Sequence, residues 1–254
     1  ELFFNKKIIL FILINFFSRS VKLNYMIGLI KEINPKIVIT NIDNSPEFSL
    51  LARYFSGKIN FIAIQNANRL DIFENRNNYN KVFFLPILLC LSEFDVGLFK
   101  KKDIYVKKFL VGGSLRNSYF QNFLLNNEKK KTSSYDICFV CKKGMIFQDD
   151  GVTENHMITI LNYLAQYLRK TNRSVVLQAK SEKNETEEAI YKKVFSGCNY
   201  KISWKENFRY GSYKNISASQ IVIGLPSTLL REAYFYKTKI LCCEKIQSKK
   251  DSHP

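Results

Sequence analysis

The stretch SQIVIGLPSTLLREAYFYKTKILCC, residues 219–243, has the pattern of a strand, a tight turn, a helix and a second strand. Its apolar run at 221–223 is broken by Gly-Leu-Pro at 224–226, and Ser227 and Thr228 can cap the helix that follows. A turn of this kind presents backbone N–H groups and the positive end of a helix. It therefore suits an anionic ligand, above all a phosphate.

The composition is that of a globular protein with a strong positive charge. The 254 residues are enough for one large or two modest α/β domains with cores of their own. The formal net charge of +17 fits nucleic acid, an anionic membrane face or phosphorylated substrates as partners. Lys, Asn and Ile are abundant while Gly and Trp are few, so codon bias with solvated lysine is the alternative interpretation.

The cysteines and histidines do not predict a metal site. Cys138 and Cys141 form a C-x-x-C inside a strand-like segment, where their side chains are expected on opposite faces. No second C-x-x-C is present, and the two histidines are His156 and His253. Buried, reduced cysteines in a cytosolic protein are therefore expected.

The first twenty residues resemble the start of a signal peptide. Lys6 and Lys7 precede an apolar run at 8–14 that is too short to span a bilayer, and no cleavage site follows. A buried element is expected here, with a helix at the membrane edge as the alternative. Because the chain lacks an initiator Met and ends in a polar tail, we expect a fragment.

Strand-like and helix-like segments alternate along the chain, which predicts an α/β fold with parallel sheets. The predicted strands outside 219–243 are 36–42, 59–64, 87–91, 107–111, 135–141 and 174–179. The predicted helices include 25–33, 47–55, 155–169 and 185–195. The polar segment 126–134 is the predicted linker. It would join an N-terminal Rossmann-like domain (1–125) to a C-terminal Rossmann-like domain (135–254), facing a cleft, with the second domain incomplete.

Polar residues gather where the predicted strands end, which is where parallel sheets bind ligands. Those of the first half are Asp43, Asn44, Gln65, Asn66, Arg69, Glu93 and Asp95. Those of the second half are Lys142, Lys143, Gly224, Ser227 and Thr228. Two lysines combined with a Ser-Thr helix start suit a diphosphate.

Two blocks of sequence resemble known transferases. IVIGLPSTLLREA (221–233) with KILCC (239–243) resembles the donor-binding unit of GT-B glycosyltransferases. IVITNIDNSPEFSLLARYF (37–55) with INFIAIQNANR (59–69) resembles the first domain of a bacterial surface-carbohydrate biosynthesis family of transferases. That family is itself similar to GT-B and CDP-glycerol-type polymer transferases. The blocks occur in the expected order, so the resemblance covers most of the chain.

The resemblance implies that 1–125 is the acceptor-side domain and that 135–254 is the nucleotide-donor domain. Ser227 and Thr228 would bind donor phosphate, Glu232 would accept from the ribose hydroxyls, and Lys142 or Lys143 would neutralise the leaving diphosphate. It also implies a nucleotide-sugar substrate with no metal and no further cofactor. The alternatives are that Ser227 and Thr228 are plain helix caps and that the lysines are solvated charge.

An inverting transfer also needs a base that takes the proton of the acceptor hydroxyl. Asp43 is the first choice, because it ends a predicted strand, and Glu93 and Asp95 are the alternatives. Asn44, Gln65, Asn66 and Arg69 would lie on the acceptor side. Asp43 can equally be part of a helix-start turn.

Three functions follow from these residues. The leading hypothesis is transfer of a sugar, or a phosphate-linked unit, from a nucleotide donor to a surface polysaccharide or lipopolysaccharide acceptor. The enzyme would be cytoplasmic and would meet anionic lipid-linked acceptors at the inner membrane face. The second is a nucleotide-sugar epimerase of the same two-domain shape. The third is a non-catalytic basic protein that binds nucleic acid or membrane, which the scattered basic residues disfavour.

Overall fold

The computed structural model describes residues 5–67, 69, 83–101, 104–126, 135–141, 152–205 and 210–243. The chain divides into two compact units, Glu1–Leu115 and Arg116–Pro254, called here the first and second units.

The first unit is a layer of helices and one parallel sheet. Its strands are β1 (Ile37–Thr40), β2 (Asn60–Ile64), β3 (Phe84–Cys90) and β4 (Tyr105–Val111). Its helices are α1 (Lys6–Ile14), α2 (Val21–Ile33), α3 (Pro46–Tyr54) and α4 (Glu93–Lys101). The sheet order is β1-β2-β3-β4, with every neighbouring pair parallel. All four strands therefore point their carboxyl ends to the same edge of the sheet.

Aromatic side chains fill the core between this sheet and its helices. Phe61 of β2 is fully buried, and its ring centroid lies 5.3 Å from that of Phe48 on α3 and 6.2 Å from that of Phe55. The helix α3 begins as the sequence predicts. Ser45 is its cap, with its hydroxyl accepting from the Phe48 N–H at 3.2 Å, and Pro46 is its first residue.

The second unit contains the larger sheet. Its strands are β5 (Tyr135–Val140), β6 (Ser174–Gln178), β7 (Asn199–Ser203), β8 (Ser219–Gly224) and β9 (Lys239–Cys242). Its helices are α5 (Leu115–Asn126), α6 (Val152–Thr171), α7 (Glu185–Val194), α8 (Gly211–Ser217) and α9 (Thr228–Glu232), followed by a 3-10 turn at Ala233–Tyr236. The strands lie side by side in the order β7-β6-β5-β8-β9, and every neighbouring pair is parallel. The chain adds β6 and β7 on one side of β5, and then adds β8 and β9 on the other side.

The sheet of the second unit has a core on each face. Ile137 and Phe139 of β5 pack with α6 and α7 on one face, whereas Cys138 packs with Ile216 and Leu230 on the other. Cys141 belongs to the first of these cores and Cys138 to the second, so the prediction that their side chains point to opposite faces is confirmed.

The helix α5 packs within the second unit, although the sequence assigned it to the first domain, 1–125. Phe120 of α5 lies with its ring centroid 5.5 Å from Tyr213 and 5.9 Å from Tyr236. The division between units therefore falls before most of α5. The predicted linker, 126–134, lies outside the described residues apart from Asn126, and its role stays a prediction.

The predicted strands all overlap strands of the structure, and the α/β fold with parallel sheets is confirmed. The strand β7 was missed, because its sequence NYKIS is too polar to read as a buried strand. The expectation of a buried element near the N-terminus is wrong for α1, where Ile8 alone is buried. Among the described helices, none is long and apolar enough to cross a membrane.

Candidate functional site

The candidate ligand site of the second unit lies between β5 and β8, where the strand order changes from one side of β5 to the other. In an open parallel sheet, the loops that follow two such strands leave toward opposite faces and open a crevice at their carboxyl ends. Here α6 and α7 cover one face of the sheet, and α8 and α9 cover the other. Val140 of β5 and Gly224 of β8 are paired at the ends of the two strands. The Gly-Leu-Pro turn at 224–226 therefore begins at this position.

Gly224 allows the two strands to approach closely at the mouth of the crevice. A Cβ atom at this position would lie 3.0 Å from the carbonyl oxygen and 3.2 Å from Cβ of Val140. The carbonyl of Gly224 accepts from the N–H of Cys243 at 2.8 Å, which ties the turn to the end of β9. Any larger residue would push against backbone atoms of β5.

Ser227 is the cap of α9. Its hydroxyl accepts from the Leu230 N–H at 3.1 Å, and its carbonyl accepts from the Arg231 N–H at 3.1 Å. The helix cap that the sequence allowed is thus present. A role of Ser227 and Thr228 in binding phosphate stays a prediction, as do the roles of Lys142 and Lys143, which lie outside the described residues.

Glu232 is a buried carboxylate at the end of α9. Its side chain is 7 % exposed, and it accepts a hydrogen bond of 2.9 Å from the Tyr213 hydroxyl. The Tyr213 ring in turn stacks on Phe120. Burial and the nearby Glu232 charge raise the pKa of Tyr236, whose hydroxyl is hydrogen-bonded to Asn117. Sequence reasoning did not predict these contacts, because they join α8 to α9 and α5 to the 3-10 turn, which are separate elements of the chain.

A second carboxylate cluster lies near the carboxyl ends of β5 and β6. Glu187 accepts from the Tyr191 hydroxyl and from the Ser181 hydroxyl, both at 2.7 Å. Burial raises the pKa of the neighbouring Cys141 thiol to about 12. The i, i+4 spacing of Glu187 and Tyr191 on α7 is the one signal in the sequence for this contact.

In the first unit, Asp43 and Arg69 form a buried ion pair. The Arg69 Nε donates to Asp43 Oδ2 at 2.8 Å, and its Nη2 donates to Asp43 Oδ1. The same Nη2 donates to the side-chain oxygen of Asn66 at 2.7 Å, and the Asn66 N–H donates to Asp43 at 3.3 Å. Asp43 is 1 % exposed and Arg69 is 3 % exposed. The structure therefore brings three of the predicted residues into one hydrogen-bonded group.

Gln65 and Asp95 form a neighbouring group at the same sheet edge. Gln65 Nε2 donates to Asp95 Oδ1 at 2.9 Å, and its Oε1 accepts from the Leu91 N–H at 3.1 Å. Ser92 donates to the other oxygen of Asp95 at 2.5 Å. Burial, with the charges of Asp95 and Asp43, raises the pKa of Cys90 to about 12.

The remaining predicted residues of the first unit are more open to solvent. Glu93, the first residue of α4, is exposed, and Asn44 is half-buried in the turn before α3. Of the three carboxylates considered as the base, Asp43 and Asp95 are thus enclosed by protein hydrogen bonds, whereas Glu93 reaches solvent.

No protein-family model matches the sequence, and no curated protein matches it significantly. Solved structures do match. S. aureus MnaA in complex with UDP has a TM-score of 0.59 at 13% identity, covering 88% of this chain and 61% of that chain. The UDP-GlcNAc 2-epimerase of Methanocaldococcus jannaschii, in complex with UDP-GlcNAc and UDP, has a TM-score of 0.58 at 14% identity, covering 87% and 63%.

A third similar structure is the UDP-GlcNAc 2-epimerase of Neisseria meningitidis bound to UDP-GlcNAc, with a TM-score of 0.54 at 12% identity, covering 88% and 63%. This chain thus spans less than two thirds of the length of each of these proteins. The likeness shows the fold, and the predicted GT-B-like α/β class with two Rossmann-like sheets is confirmed.

Proposed function

We propose that this chain is a nucleotide-sugar enzyme that binds its donor at the carboxyl ends of β5 and β8 and transfers the sugar to an acceptor. The observation that carries the proposal is the change in strand order between β5 and β8, whose ends pair at Val140 and Gly224. The Glu232 carboxylate is buried at the end of the helix that follows β8. A crevice of this kind is the usual place for a nucleotide in an open α/β sheet.

Glu232 would accept hydrogen bonds from the ribose hydroxyls of the donor. The Tyr213 hydroxyl, which donates to Glu232 Oε2 at 2.9 Å, would orient this carboxylate for the ligand. The Ser227-Thr228 turn would contact the diphosphate, and Lys142 or Lys143 would neutralise its charge. With protein cations in that position, the proposed reaction requires no metal and no further cofactor.

UDP is the first nucleotide to test. The S. aureus and M. jannaschii structures that share the fold hold UDP, and the M. jannaschii and N. meningitidis structures hold UDP-GlcNAc. The nucleotide carries over to this chain as part of the proposal, since the low identity of these proteins supports the fold alone.

The burial of the carboxylates in the first unit bears on which of them could act as the base of the proposed transfer. Asp43 and Asp95 are buried and hydrogen-bonded, so each would have to lose protein partners before it could take a proton. We therefore propose that Asp43 positions Arg69 and Asn66 on the acceptor side, together with Asn44 and Gln65. Glu93 is the proposed base, because it is exposed at the start of α4.

The acceptor is proposed to be a growing surface glycan or its lipid-linked form. The net charge of +17 would favour an anionic acceptor at the inner face of a membrane, with the enzyme in the cytoplasm. The resemblance of residues 37–69 to a surface-carbohydrate biosynthesis family supports the same acceptor.

A nucleotide-sugar epimerase is the second candidate function. It is supported by the likeness of this fold to two UDP-GlcNAc 2-epimerases. Epimerisation needs no acceptor, whereas transfer does. The two reactions therefore differ in what the chain does to a donor supplied alone.

Proton NMR of UDP-GlcNAc and of UDP-glucose, each incubated with the protein alone, separates these functions. Without acceptor, a transferase leaves the configuration at C2 of the donor sugar unchanged, and UDP release rises when lipid-linked glycan extracted from membranes is added. This release should fall at least about tenfold in Glu232→Ala and in Glu93→Gln. The surface variant Glu188→Gln is the matched control. Appearance of a C2 epimer without acceptor would replace the transferase proposal with the epimerase.

A further inference from the structure

The helix α1 is attached to the first unit by one face. A Cβ atom at Gly28 of α2 would lie 3.4 Å from Ile8 Cγ2 and 3.5 Å from Phe11 Cδ1, so the two helices approach closely at this glycine. Ile8 is 1 % exposed. Because α1 packs on α2 here, its position is fixed and its opposite face is held outward.

The outward face of α1 and the turn after it is apolar. Ile9, Leu10, Leu13 and Ile14 recur at a spacing that places them on one side of a helix. The exposed apolar residues, with their exposed fractions, are Ile9 46%, Leu10 58%, Leu13 64%, Ile14 72%, Phe16 50% and Phe17 100%. We call this set the α1 apolar face. Contiguous exposure of this kind marks an interaction surface.

The segment of sequence that contains this face has basic residues and no acidic ones. Residues 5–31 contain five basic residues and no acidic one. Lys7 bridges to Glu32 at 3.3 Å and Lys22 to Glu47 at 2.7 Å, yet the two lysine side chains remain 80% and 69% exposed. The segment 5–31, which contains the α1 apolar face, therefore carries positive charge, with Lys6, Lys7 and Arg19 close to that face along the chain.

We infer that the α1 apolar face docks on the surface of an anionic lipid bilayer. Large apolar side chains bordered by Lys and Arg are what an interfacial helix presents to lipid. At about 1.5 Å per residue, the nine residues of α1 are far too short to span a membrane, so the helix would lie in the plane of the interface. The inference goes beyond the proposed function, because vesicle binding requires no nucleotide.

A second copy of the chain is a poorer occupant of this face. A two-fold dimer would bring the same surface of each copy together, and Lys6, Lys7 and Arg19 of one copy would approach those of the other. Anionic lipid headgroups would instead neutralise these charges.

Flotation with vesicles of phosphatidylglycerol mixed with phosphatidylcholine tests the inference on the full chain. The protein should float with these vesicles and not with pure phosphatidylcholine, and added salt should weaken binding. Leu13→Glu and Phe17→Glu should each raise the lipid concentration for half-maximal binding about tenfold or more. The control is Tyr163→Glu on α6, at a side chain that is 68% exposed in the second unit. Since the three side chains are all exposed, circular dichroism should show each variant folded.

The inference is overturned if the wild-type protein does not float, or if Leu13→Glu and Phe17→Glu float as well as Tyr163→Glu. It is also overturned if sedimentation shows a dimer in solution that Leu13→Glu dissociates. UDP binding measured on the same samples separates this outcome from failure of the donor site, which lies in the other unit.

Discussion

Arg69 and Asp43 form a doubly hydrogen-bonded ion pair that is almost wholly buried, and it ties the segment after β2 to the segment after β1. Asn66 joins the pair through both its N–H and its side-chain oxygen. The carboxyl ends of the first two strands are thereby held in one arrangement. Under the proposed function, this contact would position the residues on the acceptor side.

We predict that Asp43→Asn lowers the free energy of unfolding of the first unit by about 3–5 kcal/mol, because the Arg69 guanidinium is left buried without its counter-charge. Urea unfolding followed by circular dichroism measures this loss. The exposed pair of Glu188 with Lys192, at 2.8 Å, is the matched control, and Glu188→Gln should cost no more than about 0.5 kcal/mol.

The double variant Asp43→Leu with Arg69→Met should recover much of that loss, since it removes both charges. If Asp43→Asn is no more destabilising than Glu188→Gln, the buried pair does not hold these segments.

Gly224→Ala should weaken nucleotide binding and destabilise the second unit by about 1–3 kcal/mol, because the added methyl group meets the backbone of Val140. Gly211→Ala is the control, since a Cβ atom there has nothing within 4 Å and α8 begins at that residue. It should be neutral or slightly stabilising. Thermal unfolding of both variants makes the comparison. Equal melting temperatures for the two would argue against close strand packing at the mouth of the crevice.

Tyr213→Phe should raise the Kd for UDP about three- to tenfold, because it removes the hydroxyl that orients Glu232. The Tyr213 ring still packs on Phe120, so we expect a loss of unfolding free energy of no more than about 1.5 kcal/mol. Tyr234→Phe serves as the control at a side chain that is 77% exposed. Fluorescence titration of the wild type, Tyr213→Phe and Tyr234→Phe with UDP measures the three Kd values. An unchanged Kd in Tyr213→Phe would exclude Tyr213 from the site.

Glu47 should make the stability of the first unit depend on pH. The hydrogen bond from Lys22, together with its own N–H and Ser45, lowers the pKa of Glu47 from 4.5 to about 2. A lowered pKa stabilises the fold above pH 4.5, and that contribution is lost as the pH falls toward 2.

Glu47→Gln should therefore unfold more easily at neutral pH, by less than about 1 kcal/mol because the pair is exposed to solvent. The difference should vanish near pH 2. Thermal unfolding across this range measures it, and Lys22→Met should reduce the same pH dependence. A difference between Glu47→Gln and wild type that stays constant with pH would exclude this ionic origin.

Local patterns predicted much of the fold. The β8 strand, its Gly-Leu-Pro turn and the Ser227 cap follow from short-range rules, as does the start of α3 at Ser45 and Pro46. The opposite faces of Cys138 and Cys141 follow from strand alternation alone.

The predictions that differ from the structure depend on contacts between distant residues. Phe120 packs with Tyr213 and Tyr236, about a hundred positions away, and no property of α5 alone indicates this. The partners of Asp43 and Asp95 were likewise hidden, because Asp43 lies beyond the end of β1 and Asp95 in the first turn of α4, and their partners Arg69 and Gln65 come from the segment after β2. The exposure of α1 depends on which of its two apolar faces meets α2, and composition cannot decide that.

Calorimetric titration of the full chain with UDP tests the central claim, that a nucleoside diphosphate binds at the ends of β5 and β8. We predict saturable binding with one site per chain, and a Kd raised at least about tenfold in Glu232→Ala, where the loss of a charged hydrogen-bond acceptor costs about 1.5–3 kcal/mol. Glu188→Gln should bind as the wild-type protein does. If UDP, ADP, GDP and CDP all fail to bind, or if Glu232→Ala binds as tightly as wild type, the donor site is not where we place it.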